Sequence, residues 1–173
     1  MPDTKNWTWV LERPCPECGF EAGSFPRDDI APTTLKVASA FQGFLAAPGV
    51  HDRPAPDVWS PLEYGCHVRD VYRIMGTRLG LMLDEDEPLF PNWDQDATAV
   101  DDRYDVQDPV VVAQETRVAA TATAAAFGAV FEDQWQRIGH RDNGSTFTVE
   151  TLGQYMVHDV VHHVWDIDPA AMP

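Results

Sequence analysis

Positive charge is scarce in this chain. Twelve Lys and Arg stand against 28 Asp and Glu, a formal net charge of −16. That balance excludes sequence-independent nucleic-acid binding, which rests on Lys and Arg against phosphates. It equally excludes docking on an anionic membrane. No apolar run approaches the ~20 residues of a membrane span. The N-terminus lacks a basic region followed by an apolar one. A soluble cytoplasmic protein is therefore expected. Cysteine is scarce too: three residues, an odd number that does not suit a fully paired disulfide framework, in keeping with the missing export signal. No internal repeat or low-complexity tract is evident.

What is present is enough for one domain. The 173 residues are 44% hydrophobic, sufficient for a real core. Residues 1–27 are broken by Pro14, Pro16, Gly19, Gly23 and Pro26. They read as an irregular segment pinned to the body by Trp7 and Trp9. Asp28 or Asp29 opens a first helix running to about Ala47, with an apolar face from Ile30, Val37, Phe41 and Leu45. Pro48-Gly49 ends it. Ser60-Pro-Leu-Glu63 is a capping box with Pro at the first helical position, and predicts a helix to about Leu83. Residues 84–108 are acidic and broken by Pro88 and Pro91, a long loop of the kind that often serves function, with Phe90 and Trp93 placed to fold it over the body. Its spaced acids do not match a calcium loop. Pro109 opens an alanine-rich helix to about Phe131, or as far as Ile138. Asp142-Asn-Gly-Ser145 marks a turn, and Thr148 with Glu150 starts a last helix. The expected fold is all-α: a four-helix bundle over 28–168, a long loop between helices 2 and 3, and a tail at 169–173.

The last helix carries the chemistry. His158 and His162 lie four residues apart, on one face. Leu152, Met156, Val157, Val160 and Val164 cover most of the remaining circumference, so the helix is buried and its histidines need partners. A metal ion satisfies both, although core histidines bonded to carbonyls would do the same. His163 points about 100° from His162 and is left outside this set. His67, one turn into the second helix, faces the core or its rim. Three imidazoles meeting in the interior would leave an open coordination position, the form of a catalytic site. Asp70 and Asp159 are candidates to orient a ligand. Tyr155, one turn before His158, is a candidate proton donor. Cys66 lies ~100° round the helix from His67 and reads as a small buried apolar residue.

Cys15-Pro-Glu-Cys18-Gly19 is half of a zinc-ribbon signature, in which Gly accepts a positive φ. Three readings stand: a redox dithiol, a zinc site completed by scattered ligands such as Cys66, His51 and His140, or an inert turn.

Trp59-Ser-Pro-Leu-Glu-Tyr-Gly-Cys-His67-Val-Arg-Asp70, followed ~90 residues later by the His158/His162 pair, resembles the DinB/YfiT-like superfamily of metalloenzymes. The resemblance covers roughly residues 28–167. It implies a four-helix bundle, in many members a homodimer, holding a divalent ion such as zinc or nickel on three histidines. Carried to this chain, these ligands are His67, His158 and His162. Members include thiol S-transferases that use bacillithiol or mycothiol, and a mycothiol-dependent maleylpyruvate isomerase. The expectation is thus a metal-dependent transfer of a low-molecular-weight thiol to an electrophilic small molecule. Metal-dependent hydrolysis, or a non-catalytic metal- or redox-sensing bundle, are the alternatives. Cys15 and Cys18 lie outside the family core, so the resemblance is silent on their role.

Overall fold

Ser60 starts the longest helix as its sequence predicts. Its side chain accepts from Glu63 N–H while the Glu63 carboxylate accepts from Ser60 N–H, a complete capping box with Pro61 in the first turn. The computed structural model describes residues 7–173; residues 1–6 of the irregular N-terminal segment lie outside the described residues. The long helices are α1 (Ile30–Ala46), α2 (Pro61–Asp84) and, after a short α3 (Gln95–Asp101), α4 (Pro109–Gly128) and α5 (Val149–Ile167). Ser60→Ala removes one half of a reciprocal cap and should lower stability by about 1 kcal/mol. Thermal unfolding followed by circular dichroism would read this as a drop in Tm of roughly 2–4 °C.

The helices do not neighbour each other in chain order. α1 and α2 each pack chiefly on α4 and α5, and meet each other only lightly across the diagonal. α5 therefore lies between α1 and α2, with one side turned to each. The core is built from Phe41, Leu62, Tyr72, Leu79, Phe127 and Met156, all fully buried. The alanines of α4 bring α1 and α2 close: Ala120 is fully buried, and Thr123 Oγ1 donates to the Tyr72 carbonyl at 2.9 Å.

The all-α bundle is as expected, with three local differences. The segment after α2 is not a bare loop. It holds strand β1 (Leu89–Phe90) and α3, whose N-cap Asp94 accepts from Ala97 N–H. The Asp142 turn joins two short strands, β2 (Ile138–Arg141) and β3 (Thr146–Thr148), and β1 pairs parallel to β2. α4 stops at Gly128, short of Phe131, where the Ala129 N–H closes the last turn on Ala125. The irregular N-terminal segment packs on α5, and Gln154 Nε2 donates to the Phe25 carbonyl at 3.0 Å.

Candidate metal centres

α5 is held at its start by Thr148 and Thr151, which cap each other reciprocally. From Leu152 to Val164 nearly every residue is buried. Two polar pairs interrupt that apolar surface, His158/His162 and Asp159/His163, each at i,i+4 and offset from one another by one residue. One residue is a 100° rotation. The two pairs therefore face different neighbours.

The Asp159/His163 pair faces α2. His67, Asp159 and His163 each bring one donor atom into a group whose members all lie within 4.8 Å of one another. His67 Nε2 is 3.1 Å from Asp159 Oδ1, and His163 Nε2 is 3.5 Å from the same oxygen. His163 Nδ1 lies 2.8 Å from Asp166 Oδ2. A proton held on Nδ1 toward that carboxylate leaves Nε2 as the free lone pair. His67 is fully buried, stacked on Trp93 at 5.2 Å and tilted against Trp59 at 5.4 Å. Burial alone would raise the Asp159 carboxyl, but His67 and then His163 outweigh it and hold it at about 2. Burial pushes His163 below its ordinary value, toward the neutral form that ligates.

The His158/His162 pair faces the N-terminal segment. Cys15, Cys18, His158 and His162 form a second group of donors, again all within 4.8 Å of one another. Cys15 Sγ is 3.7 Å from His162 Nδ1. Burial drives His158 down to about 4 and raises the Cys18 thiol to about 11, with Cys15 beside it adding to the rise.

Among the described residues, two buried side-chain polar atoms have no hydrogen-bond partner, His67 Nδ1 and His158 Nε2. One belongs to each group. Two imidazoles with a carboxylate, and two imidazoles with two thiols, are both donor sets that divalent metals accept. The residues present fit an ion at either place.

The structure thus divides the expected ligand set. His67 does not gather with His158 and His162; it meets Asp159, which was expected only to orient a ligand, and His163, which was expected outside the site. Cys66, His51 and His140 join neither group among the described residues. Cys66 is fully buried, and burial raises its thiol to about 12. Asp70 does not orient a histidine. It accepts from Arg69, Arg73 and Tyr104, the last at 2.6 Å. Signals for these groupings are present in the sequence: Asp159-x3-His163 repeats the spacing of its neighbour pair, and Cys-x2-Cys with His-x3-His is a complete zinc-ligand inventory split by 139 residues.

A cavity of about 120 Å³ opens beside both groups, lined by Trp7, Arg78, Trp93, Arg141 and Tyr155 together with His158, Asp159, His162 and His163. Tyr155 is nearly buried, and burial raises its phenol, so it stays protonated at neutral pH. Arg78 and Arg141 are buried, and neither forms an ion pair among the described residues. Arg78 donates to the Pro91 carbonyl and lies over Phe90, while Arg141 donates to Asn143 and Ser145. Burial, then Arg141, lowers Arg78 to about 10, which leaves it charged at neutral pH.

No curated protein sequence matches the chain. Among solved structures, YfiT from Bacillus subtilis is described as a probable metal-dependent hydrolase with an unusual four-helix bundle topology. It superposes with a TM-score of 0.72 at 20% identity, over 82% of this chain and 83% of its own. At that identity the likeness is one of fold. No helix among the described residues is long and apolar enough to cross a membrane. The sequence model of the DinB superfamily matches residues 44–167, a span that includes His67, Asp159 and His163 but not Cys15 or Cys18. With more than half of its length matched in this way, the chain belongs to the DinB superfamily.

Proposed function

We propose that the chain is a metal-dependent enzyme that transfers a low-molecular-weight thiol to a small anionic electrophile, with its ion held by His67, Asp159 and His163. The observation that carries this reading is the triad itself, three donors mutually within 4.8 Å with two of them lining the cavity. Three protein ligands leave a coordination position open, the form of a catalytic centre. A bound divalent ion would supply a lowered thiol pKa, so that the thiolate exists at neutral pH. The rest falls to the chain. Arg78 and Arg141 present two charged, buried guanidinium groups to the cavity, and a carboxylate or phosphate on the electrophile would pair with them. Tyr155 keeps its proton and stands in the same cavity, placed to donate it as negative charge develops. Trp93 and Trp59 flank His67 and keep water from it.

Metal-loaded protein assayed with mycothiol, bacillithiol, glutathione and coenzyme A against a chromogenic electrophile tests the proposal. Thiol-dependent turnover in the wild type, and its loss in His67→Ala, are expected. Bound metal with no turnover of any thiol would sink the reading in favour of a binding protein. Metal-dependent cleavage of an ester without thiol would move the reaction to hydrolysis, the activity named for the YfiT structure.

A further inference from the structure

We propose that Cys15, Cys18, His158 and His162 hold a second ion, a closed zinc centre that fastens the N-terminal segment to α5. Its two sulfurs lie outside the span that the superfamily model matches, and its two imidazoles lie within it. The four donors already stand within 4.8 Å of one another. Their identities, two sulfurs and two imidazoles, fill a tetrahedral zinc ion and leave no position for a substrate. This separates the centre from the triad on the next ridge of the same helix.

The turn that carries the sulfurs is built for this. Gly19 N–H donates to the Cys15 carbonyl at 2.9 Å, and Cys15 N–H donates to the Phe20 carbonyl at 3.0 Å. Gly19 sits at φ +73°, a conformation other residues adopt only with strain. Both cysteines are free rather than joined, and Cys15 is buried.

The histidines match from the other side. His158 is 5% exposed, and its Nε2 has no hydrogen-bond partner among the described residues. A polar ring atom buried without a partner is costly unless something occupies it. His162 turns Nδ1 to Cys15 Sγ at 3.7 Å, while its Nε2 faces Glu17 Oε2 at 3.2 Å and Asp166 Oδ1 at 3.8 Å. A proton on Nε2 shared with these carboxylates leaves Nδ1 to ligate, the usual arrangement around a metal-bound imidazole. Ion binding displaces one proton from each thiol and closes the cage. A redox dithiol would use neither histidine. The fastening also has a use: Trp7, on the segment so held, forms part of the cavity wall beside His158 and His162.

Cobalt(II) substitution of the full-length protein, with metal content measured by plasma mass spectrometry, tests this independently of the catalytic proposal. The wild type should bind two equivalents and show a thiolate-to-cobalt charge-transfer band in the near ultraviolet. His67→Ala should drop to one equivalent and keep the band. The Cys15→Ser/Cys18→Ser variant should drop to one equivalent and lose it. Cobalt-loaded wild type without the band would overturn the proposal, whatever the variants do. So would a band that survives loss of both cysteines. Should the cysteine variant fail to fold, the wild-type and His67→Ala spectra decide the matter alone.

Discussion

Asp159→Asn is expected to empty the α2–α5 centre and reduce turnover to background, with little change in fold. The two side chains have nearly the same shape, so packing against His67 and His163 is preserved and the chemistry alone changes. Asp159 is the one anion of the triad, and His67 Nε2 and His163 Nε2 both converge on its Oδ1 at 3.1 and 3.5 Å. Partners that merely orient a ligand already cost 10–100-fold in metal affinity when removed, so loss of a ligand should weaken binding by at least about 100-fold. The variant should still carry the ion on Cys15, Cys18, His158 and His162. Equilibrium dialysis with metal analysis should therefore show one equivalent lost and one retained. A variant that kept both equivalents would show that Asp159 is not a ligand, and its assignment to the triad would fall.

The two candidate ligand sets differ by a single step along the α5 helix. The start of α2 was legible because Ser60, Pro61 and Glu63 act within one turn, and local chemistry fixes it. α1 and α5 were legible from apolar periodicity for the same reason. Which ridge of α5 meets α2 was not. The pairs 158/162 and 159/163 have the same spacing, differ by one residue, and interrupt the same buried surface. Only the packing order of the bundle, with α5 between α1 and α2, assigns His163 to His67 and His162 to the N-terminal segment. The Cys15 turn reads as half of a zinc site, but its other half sits on a helix far along the chain, and isolated residues such as His51 and His140 compete for the role. The sheet has no local sequence signature, because β1 has two residues and pairs with β2 about 50 positions away. Spacing alone does not place Asp70. Three residues after His67 it lies on the neighbouring part of the α2 surface, and it is the arrival of Tyr104 and the side chain of Arg69 that claim it.

Asp70→Ala should lower stability sharply while leaving both metal centres intact. Asp70 is 8% exposed, and Arg69 is 4% exposed. Arg69 donates to both carboxylate oxygens at 2.9 Å, Arg73 donates at 3.2 Å, and Tyr104 donates its phenol proton at 2.6 Å. Burial alone would raise the Asp70 carboxyl, but the bonds from Arg69 and Tyr104 outweigh it and hold the group below the usual carboxylate range. Removing one partner of a buried ion pair costs about 3–5 kcal/mol, because the remaining charge stays desolvated. Arg69 would keep Glu115 at 2.9 Å, which places the loss near about 3 kcal/mol. For a domain of this size that is a fall in Tm of roughly 6–12 °C. The dependence on pH has a definite sign. A carboxyl whose folded pKa is depressed stabilises the protein above its unfolded value of about 3.9, and that contribution fades as pH falls toward the folded value. The gap in stability between wild type and Asp70→Ala should accordingly be constant near neutrality and narrow below about pH 4. Denaturant titration at pH 7 and pH 3.5 measures both. A loss under 1 kcal/mol at pH 7, or a gap that widens in acid, would show that the network around Asp70 does not carry the load its geometry assigns to it.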